Sequence, residues 1–344
     1  MRGLKVTATR AHTLASPQIR LSAREWAQRN LFNGTWNTLL TVATFVLLML
    51  VATRLAQWTT HAHWGVIADH PRFWLIGLMP VGLAARAYWA GGLIAVMVPV
   101  TVLLARARVQ LAALGSAWGG ILVAVAWLMS PVRLDQIGGL YLTVLLATIA
   151  IAGSFPIGVL VGIGRVSQLP VVRVLSTLYI ELIRGIPFIA VLLWFSVFVT
   201  LLSGDALSRV ERAMVAMIIF TSAYVGEIVR AGIQSVPRGQ VEAARALGLS
   251  GLATMRHIVL PQAVKNMIPA LVGQFISLFK DTSLAVIIGL TELVGTGRAL
   301  LAMTQYLHDV REVYVFLLLV YFVFSYTLSS GSRKLERRLG LGER

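Results

Sequence analysis

The sequence predicts an all-α protein that crosses a membrane about eight times, and three observations carry that prediction. Hydrophobic residues fill 57% of 344 positions against 13% charged, the balance of a chain whose solvent is lipid. Apolar runs long enough for hydrocarbon, about 20 residues each, recur along its length. The 30 Lys and Arg residues also divide unevenly between alternate loops, as the positive-inside rule requires.

Residues 1–36 form a polar tail with scattered arginines. It reads as a retained cytoplasmic tail, because no apolar run of a secretory signal precedes Thr38. Residues 38–53 make the first span if Arg54 snorkels to the interface beside Trp58. No charge interrupts 87–105 or 109–132, the second and third spans. Residues 73–85 open after Pro71 and contain Pro80, and they are too short to cross; they suit an interfacial or re-entrant segment. Runs 136–164, 185–204 and 313–332 are uncharged and supply the fourth, fifth and eighth spans. The sixth, 213–229, carries Glu227, and the seventh, 267–290, carries Lys280 and Asp281. The layout is therefore a tail (1–36), three additional spans with a periplasmic loop (37–137), a five-span domain (138–335) and a short tail (336–344).

Eight spans put both termini on one side. That side receives twenty Lys and Arg residues and the other eight, with Arg184 and Lys280 inside spans, so both termini are expected in the cytoplasm. The net charge of +16 then reflects topology, and no nucleic-acid partner is expected. The absence of cysteine excludes disulfides, thiolate metal sites and cysteine nucleophiles. The six histidines fall in loops or tails, where solvation is the default, and no metal site is expected of them. Neither HExxH nor GxSxG occurs. No Gly-Lys dipeptide occurs either, so a P-loop is impossible and any ATP must be hydrolysed by a partner.

The longest cytoplasmic loop, 231–266, has its own pattern. Pro237 and Gly239 mark a turn, 240–247 is a good helix former with Glu242 in its first turn, and Gly248 permits a left-handed stop. Residues 251–259 form a second, amphipathic segment that is expected to end before Pro261. Within this loop Glu242, Ala243 and Ala244 are followed by three residues, Gly248, nine residues, and then Ile258, Val259, Leu260 and Pro261. This resembles the EAA loop of binding-protein-dependent ABC importers, pattern for pattern. The resemblance implies that Glu242, Ala243, Ala244, Arg245, Gly248, Ile258, Leu260 and Pro261 form a coupling element seated on a cytoplasmic ATPase. Glu242 and Arg245, three apart, can pair with each other or with the partner. An aromatic residue is frequent before the motif glutamate, and Val241 stands there, which puts one packing contact in doubt.

Three more segments look like the polar-amino-acid branch of that family. They are Glu181-Leu182-Ile183-Arg184-Gly185-Ile186-Pro187, Ala231-Gly232-Ile233 with Pro237-Arg238-Gly239-Gln240, and Lys280-Asp281-Thr282-Ser283-Leu284. The three extra spans make the chain similar to the longer permease of general L-amino-acid importers of Gram-negative bacteria. That likeness implies an inner-membrane permease without a cofactor of its own. ATP and magnesium would sit at two copies of a cytoplasmic ATP-binding subunit. The other implied partners are a homologous second permease or a second copy of this one, and a periplasmic amino-acid-binding protein. It also implies broad uptake of polar amino acids, glutamate, glutamine and aspartate among them.

Charges at membrane depth cost about 2.5 to 3.5 kcal/mol each, so they pair or line a cavity. Glu181 and Arg184 are expected as a pair near the cytoplasmic end of the fifth span, and Glu227 as the partner of Arg230. Lys280 and Asp281 stand mid-span about 100° apart, and with Ser283, Glu181, Arg184 and Glu227 they are candidates for the pathway or a gate. Glu292 reads as an end-of-helix charge. An ion-coupled secondary transporter is the rival class, but no inverted repeat supports it.

Overall fold

A computed structural model describes residues 22–106 and 111–338. The basic residues before Ser22, with Arg108 and Arg344, lie outside the described residues. The chain divides into two compact units, Met1–Ala62 and His63–Arg344.

In the first unit α1 (Ala23–Asn30) is capped by Ser22 and leads into α2 (Thr35–His61). With 27 residues, α2 is about 40 Å long and buries no side chain within the unit, as suits a lipid-facing span.

The second unit opens with α3 (Gly65–Ala68) and α4 (Pro71–Ile76), followed by the apolar helices α5 (Val81–Arg106) and α6 (Leu111–Met129). Its centre is the pair α7 (Gly139–Arg165) and α10 (Arg209–Gln234). A Cβ at Gly158 would fall within 3 Å of Val225 and of the Ser222 carbonyl, and one at Gly162 within 3 Å of Val229. The missing side chains let the two backbones close up. Between them run α8 (Pro170–Gly185) and α9 (Phe188–Ser203); after them come α11 (Arg238–Ala246), α12 (Gly251–Thr254), α13 (Leu260–Asp281), α14 (Leu293–Leu301) and α15 (Val310–Arg338).

Among the described residues five helical stretches are long and apolar enough to cross a membrane alone: Thr35–His61, Gly139–Arg165, Arg209–Gln234, Gly251–Ile288 and Val310–Lys334. Helices α8 and α9 qualify only as a pair bent by 100°, and α5 and α6 contain shorter apolar stretches, Val81–Met97 and Ser116–Met129. The eight predicted runs each find a helix.

The structure corrects several details. Helix α8 was hidden in what reads as loop, because Arg173, Glu181 and Arg184 break any charge-free run. Its exposed Val171, Val174, Leu175, Leu178 and Leu182 recur at helical spacing, the signal that finds it. The bend follows from Pro187, which offers no N–H and forces Ile186 into extended backbone (φ −102°, ψ 135°).

The second loop segment does not stop before Pro261. Helix α12 passes through a π-helical turn, Met255–Val259, straight into α13 with Pro261 in its first turn. A prolyl ring collides with the carbonyl four residues back, and the wider turn makes room for it.

Residues 71–76 form α4, with Trp74 and Ile76 buried, and 81–85 already belong to α5. Gly77 at φ +62° lets the chain turn against Gly138, whose N–H donates to the Ile76 carbonyl at 3.2 Å.

Among the described histidines only His70 departs from the expected solvation: it is half-buried, with its Nε2 3.1 Å from the Tyr306 hydroxyl, which donates to Asp69 at 3.3 Å, while His63 stays exposed 3.8 Å from Asp309.

Candidate functional site

Helix α11 presents two faces. Val241 and Ala244 turn inward, Val241 onto a cluster of Val225, Val229, Val236, Val259, Ala263 and Met267 that joins α10 to α13. Gln240, Glu242, Ala243 and Arg245 turn outward, and Leu247 and Leu252 stand 82% and 81% exposed beyond them. Among the described residues Glu242 and Arg245 form no ion pair with each other. Gly248 adopts φ +78°, a left-handed stop in which its N–H donates to the Arg245 carbonyl at 2.9 Å. Ser250 then caps α12 by accepting from the Ala253 N–H at 3.3 Å. Ile258 is half-buried in the π-helical turn, while Leu260 and Pro261 are exposed.

Two contacts tie this loop to the bundle. The Asn266 amide of α13 donates to Ser235 Oγ at the end of α10 (2.9 Å), and Met267 fills the space that a side chain at Gly232 would take. These contacts join the end of α10 to α13 beside α11.

Behind the loop lies a charge cluster. Glu227 accepts from Arg230 Nε at 2.9 Å and Nη2 at 2.6 Å, and from Arg165 Nη1 at 2.6 Å. Arg184 Nη1 stands 3.8 Å from the same carboxylate. The expected Glu227–Arg230 pair is present; the expected Glu181–Arg184 pair is not. Glu181 is bound instead by Arg165 Nη2, and the Arg184 guanidinium lies over the Tyr224 ring, 5.4 Å from its centre. Both residues sit on α8, ahead of the break, and not in the fifth span. Arg165 joins the two carboxylates, yet in the sequence it is only a loop charge at the end of α7. Three guanidiniums against two carboxylates leave the cluster with one excess positive charge.

Lys280 and Asp281 stand at the end of α13, where it gives way to a 3-10 run, Thr282–Ile288. Lys280 is exposed and Asp281 half-buried; Ser283 Oγ donates to the Lys280 carbonyl at 2.7 Å. Asn266, Ala270, Gly273 and Lys280 are exposed, and Ser277 half-buried, at spacings of three and four. They form one polar, small-residue face on a membrane helix. The structure does not bring this pair into the Glu227 cluster, which holds none of its atoms within ion-pair distance.

Glu292 is more than an end-of-helix charge. It caps α14, accepting from Val294 N–H at 2.8 Å and Gly295 N–H at 3.0 Å, with the Tyr321 hydroxyl at 3.5 Å. Its side chain is fully buried, in the connection between two spans, and burial pushes its carboxyl up to about 7. Among the described residues no group of His, Asp or Glu is arranged to hold a metal.

The helices that carry this geometry also carry the match to known proteins. Residues 154–341 fit the family of the binding-protein-dependent transport system inner membrane component, more than half the chain. The chain belongs to this family. It is 36% identical to the inner membrane amino-acid ABC transporter permease protein YhdY of Escherichia coli, over 93% of this chain and 94% of that one. It is 34% identical to the glutamate/glutamine/aspartate/asparagine transport system permease protein BztC of Rhodobacter capsulatus, over 80% of this chain and 63% of that one. A crystal structure of an amino acid ABC transporter with histidines superposes with a TM-score of 0.55 at 32% identity, covering 58% of this chain and 92% of that one. The family match thus begins inside α7 and runs through α15, and the YhdY alignment extends over most of the helices before it.

Proposed function

We propose that this multi-pass inner-membrane component is the permease subunit of an ATP-driven importer of polar amino acids. It takes substrate from a periplasmic binding protein and is driven through α11 by two copies of a cytoplasmic ATP-binding subunit. ATP and magnesium act at that subunit, and this chain hydrolyses nothing. The observation that carries the reading is the two-sided build of α11: an outward face of Glu242, Ala243, Arg245 and Leu247 on a helix whose Ala244 is buried and whose Val241 packs on the cluster between α10 and α13. That is the form of a lever with its contact surface bare.

Both termini and the α11 loop lie in the cytoplasm, as the excess of basic residues on that side requires. The polar face of α13, with Lys280, Asp281 and Ser283, lines the pathway against a homologous second permease or a second copy of this chain. A cation beside an acid complements a zwitterionic amino acid. Glu181, Arg184 and Glu227, with Arg165 and Arg230, form the cytoplasmic gate, and their excess positive charge suits anionic as well as neutral polar substrates. Residues 138–335 form the transport domain, and the three spans within 37–137 are an addition to it.

The test is transport and ATPase activity of the complex reconstituted with its ATP-binding subunit and binding protein. Glu242→Arg and Gly248→Trp are each expected to abolish amino-acid uptake and binding-protein-stimulated hydrolysis while the chain still inserts. Uptake that persists without any ATPase would replace this reading with an ion-coupled transporter.

A further inference from the structure

The first unit carries a surface that neither coupling nor translocation uses. Helix α1 is eight residues long and is closed by a reciprocal cap: Ser22 N–H donates to Glu25 Oε2 at 2.9 Å, and Glu25 N–H donates to Ser22 Oγ at 3.3 Å. At 100° per residue, Ala23, Trp26, Ala27 and Asn30 share one face. Glu25 and Gln28 point the opposite way, and Arg24 and Arg29 flank the apolar face on its two sides.

The chain then doubles back. The Leu31 carbonyl accepts from Thr41 Oγ1 at 2.9 Å, six residues inside α2, so α1 ends beside the first turns of the spanning helix and not beyond them. Phe32 lines an open apolar groove there with Thr35, Leu39 and Val42. Trp26, Phe32 and Trp36 are 52%, 49% and 78% exposed. Three aromatic rings, two flanking arginines and an apolar groove thus gather at one end of an apolar span. Aromatic rings settle at the membrane interface, and amphipathic helices with basic flanks lie in its plane.

We infer that α1 lies in the bilayer surface at the basic end of α2 and docks on anionic phospholipid. Its Ala23–Trp26 face meets the acyl boundary, and Arg24 and Arg29 meet the phosphates. Charge favours a bilayer over a protein: the stretch 1–34 holds six Lys and Arg residues and a single acid, Glu25, complementary to an anionic leaflet. The inference rests on the chain's being a membrane protein and is independent of the coupling role of α11, so the two fail separately.

Because the chain has no cysteine, one introduced thiol reports a single position. The experiment is nitroxide labelling of Ala23→Cys, Gln28→Cys and, as an insertion control, Leu47→Cys in the full-length chain. The chain is reconstituted in vesicles of phosphatidylcholine with or without about one third phosphatidylglycerol, a fraction chosen to give the negative surface potential that attracts basic segments. Accessibility to oxygen and to a water-soluble nickel chelate is then read. In anionic vesicles the label at 23 is expected to favour oxygen and the label at 28 nickel. In neutral vesicles, or with Arg24→Glu and Arg29→Glu together, the contrast at 23 falls several-fold while the label at 47 stays in lipid. Equal nickel access at 23 and 28 in anionic vesicles overturns the inference. So does shielding of both labels from both reagents, which means a protein cover, and so does a contrast indifferent to lipid charge.

Discussion

Glu227 of α10 and Arg165 of α7 meet at 2.6 Å, and the same guanidinium reaches Glu181 of α8. The Arg165 side chain therefore ties three helices together. Removing the Glu227 carboxylate leaves Arg165, Arg184 and Arg230 with Glu181 as the one carboxylate of the cluster.

Glu227→Gln is expected to lower uptake by at least roughly tenfold and to destabilise the chain by about 1–2 kcal/mol, because the cluster is only partly shielded from water. Uptake and thermal melting in detergent check both. Wild-type uptake in this variant would remove the cluster from the gate.

Leu247 is 82% exposed, so Leu247→Asp is expected to change folding stability by less than about 0.5 kcal/mol. It is expected to abolish stimulated ATP hydrolysis all the same. A melting curve beside an ATPase assay separates the two effects, and a variant that melts normally and couples normally would show that the partner does not touch this residue.

Lys280 is exposed on the polar face of α13. Lys280→Gln removes a charge from a membrane helix, so membrane yield should hold or rise. Uptake of anionic amino acids should fall more than that of neutral ones. Competition between labelled glutamate and glutamine measures this, and an equal fall for both would assign the lysine to structure.

Burial raises the Glu292 carboxyl from its ordinary 4.5 to about 7. The folded state therefore binds this proton more tightly than the unfolded state does. Its stabilising contribution is full below about 4.5 and is lost as pH rises through about 7, a span worth roughly 3 kcal/mol. The melting temperature of the wild type is expected to drop between pH 5 and pH 8 by more than that of Glu292→Gln. Parallel curves for the two proteins would show that another group governs the pH dependence.

Much of the machinery is legible in one dimension. The 231–266 loop is local: the spacing of Glu242, Gly248 and Pro261 fixes a helix, a left-handed stop and a second helix, and only the π-helical turn that carries the chain past Pro261 escapes the pattern. Helix α8 escapes because its apolar stripe is interrupted by charges, so a search for uncharged runs passes over it. Arg165 escapes for a different reason. It lies 16 residues from Glu181 and 62 from Glu227, and no periodicity connects positions so far apart. Glu292 is a one-residue cap in any linear view, and its burial depends on Tyr321, 29 residues on.

By itself, then, the sequence determined the solvent of this fold, the apolar runs that become its long helices, the uneven division of its basic residues and the helix-stop-helix form of the 231–266 loop. Each of these is set by composition or by spacing within a few turns, where hydrophobic length and backbone preference act locally. Only the tertiary structure decided which charges pair, which face of α11 is bare, and where α13 leaves its polar side uncovered. Those outcomes depend on how closely glycine-bearing helices such as α7 and α10 approach, and a close approach is a property of two helices together.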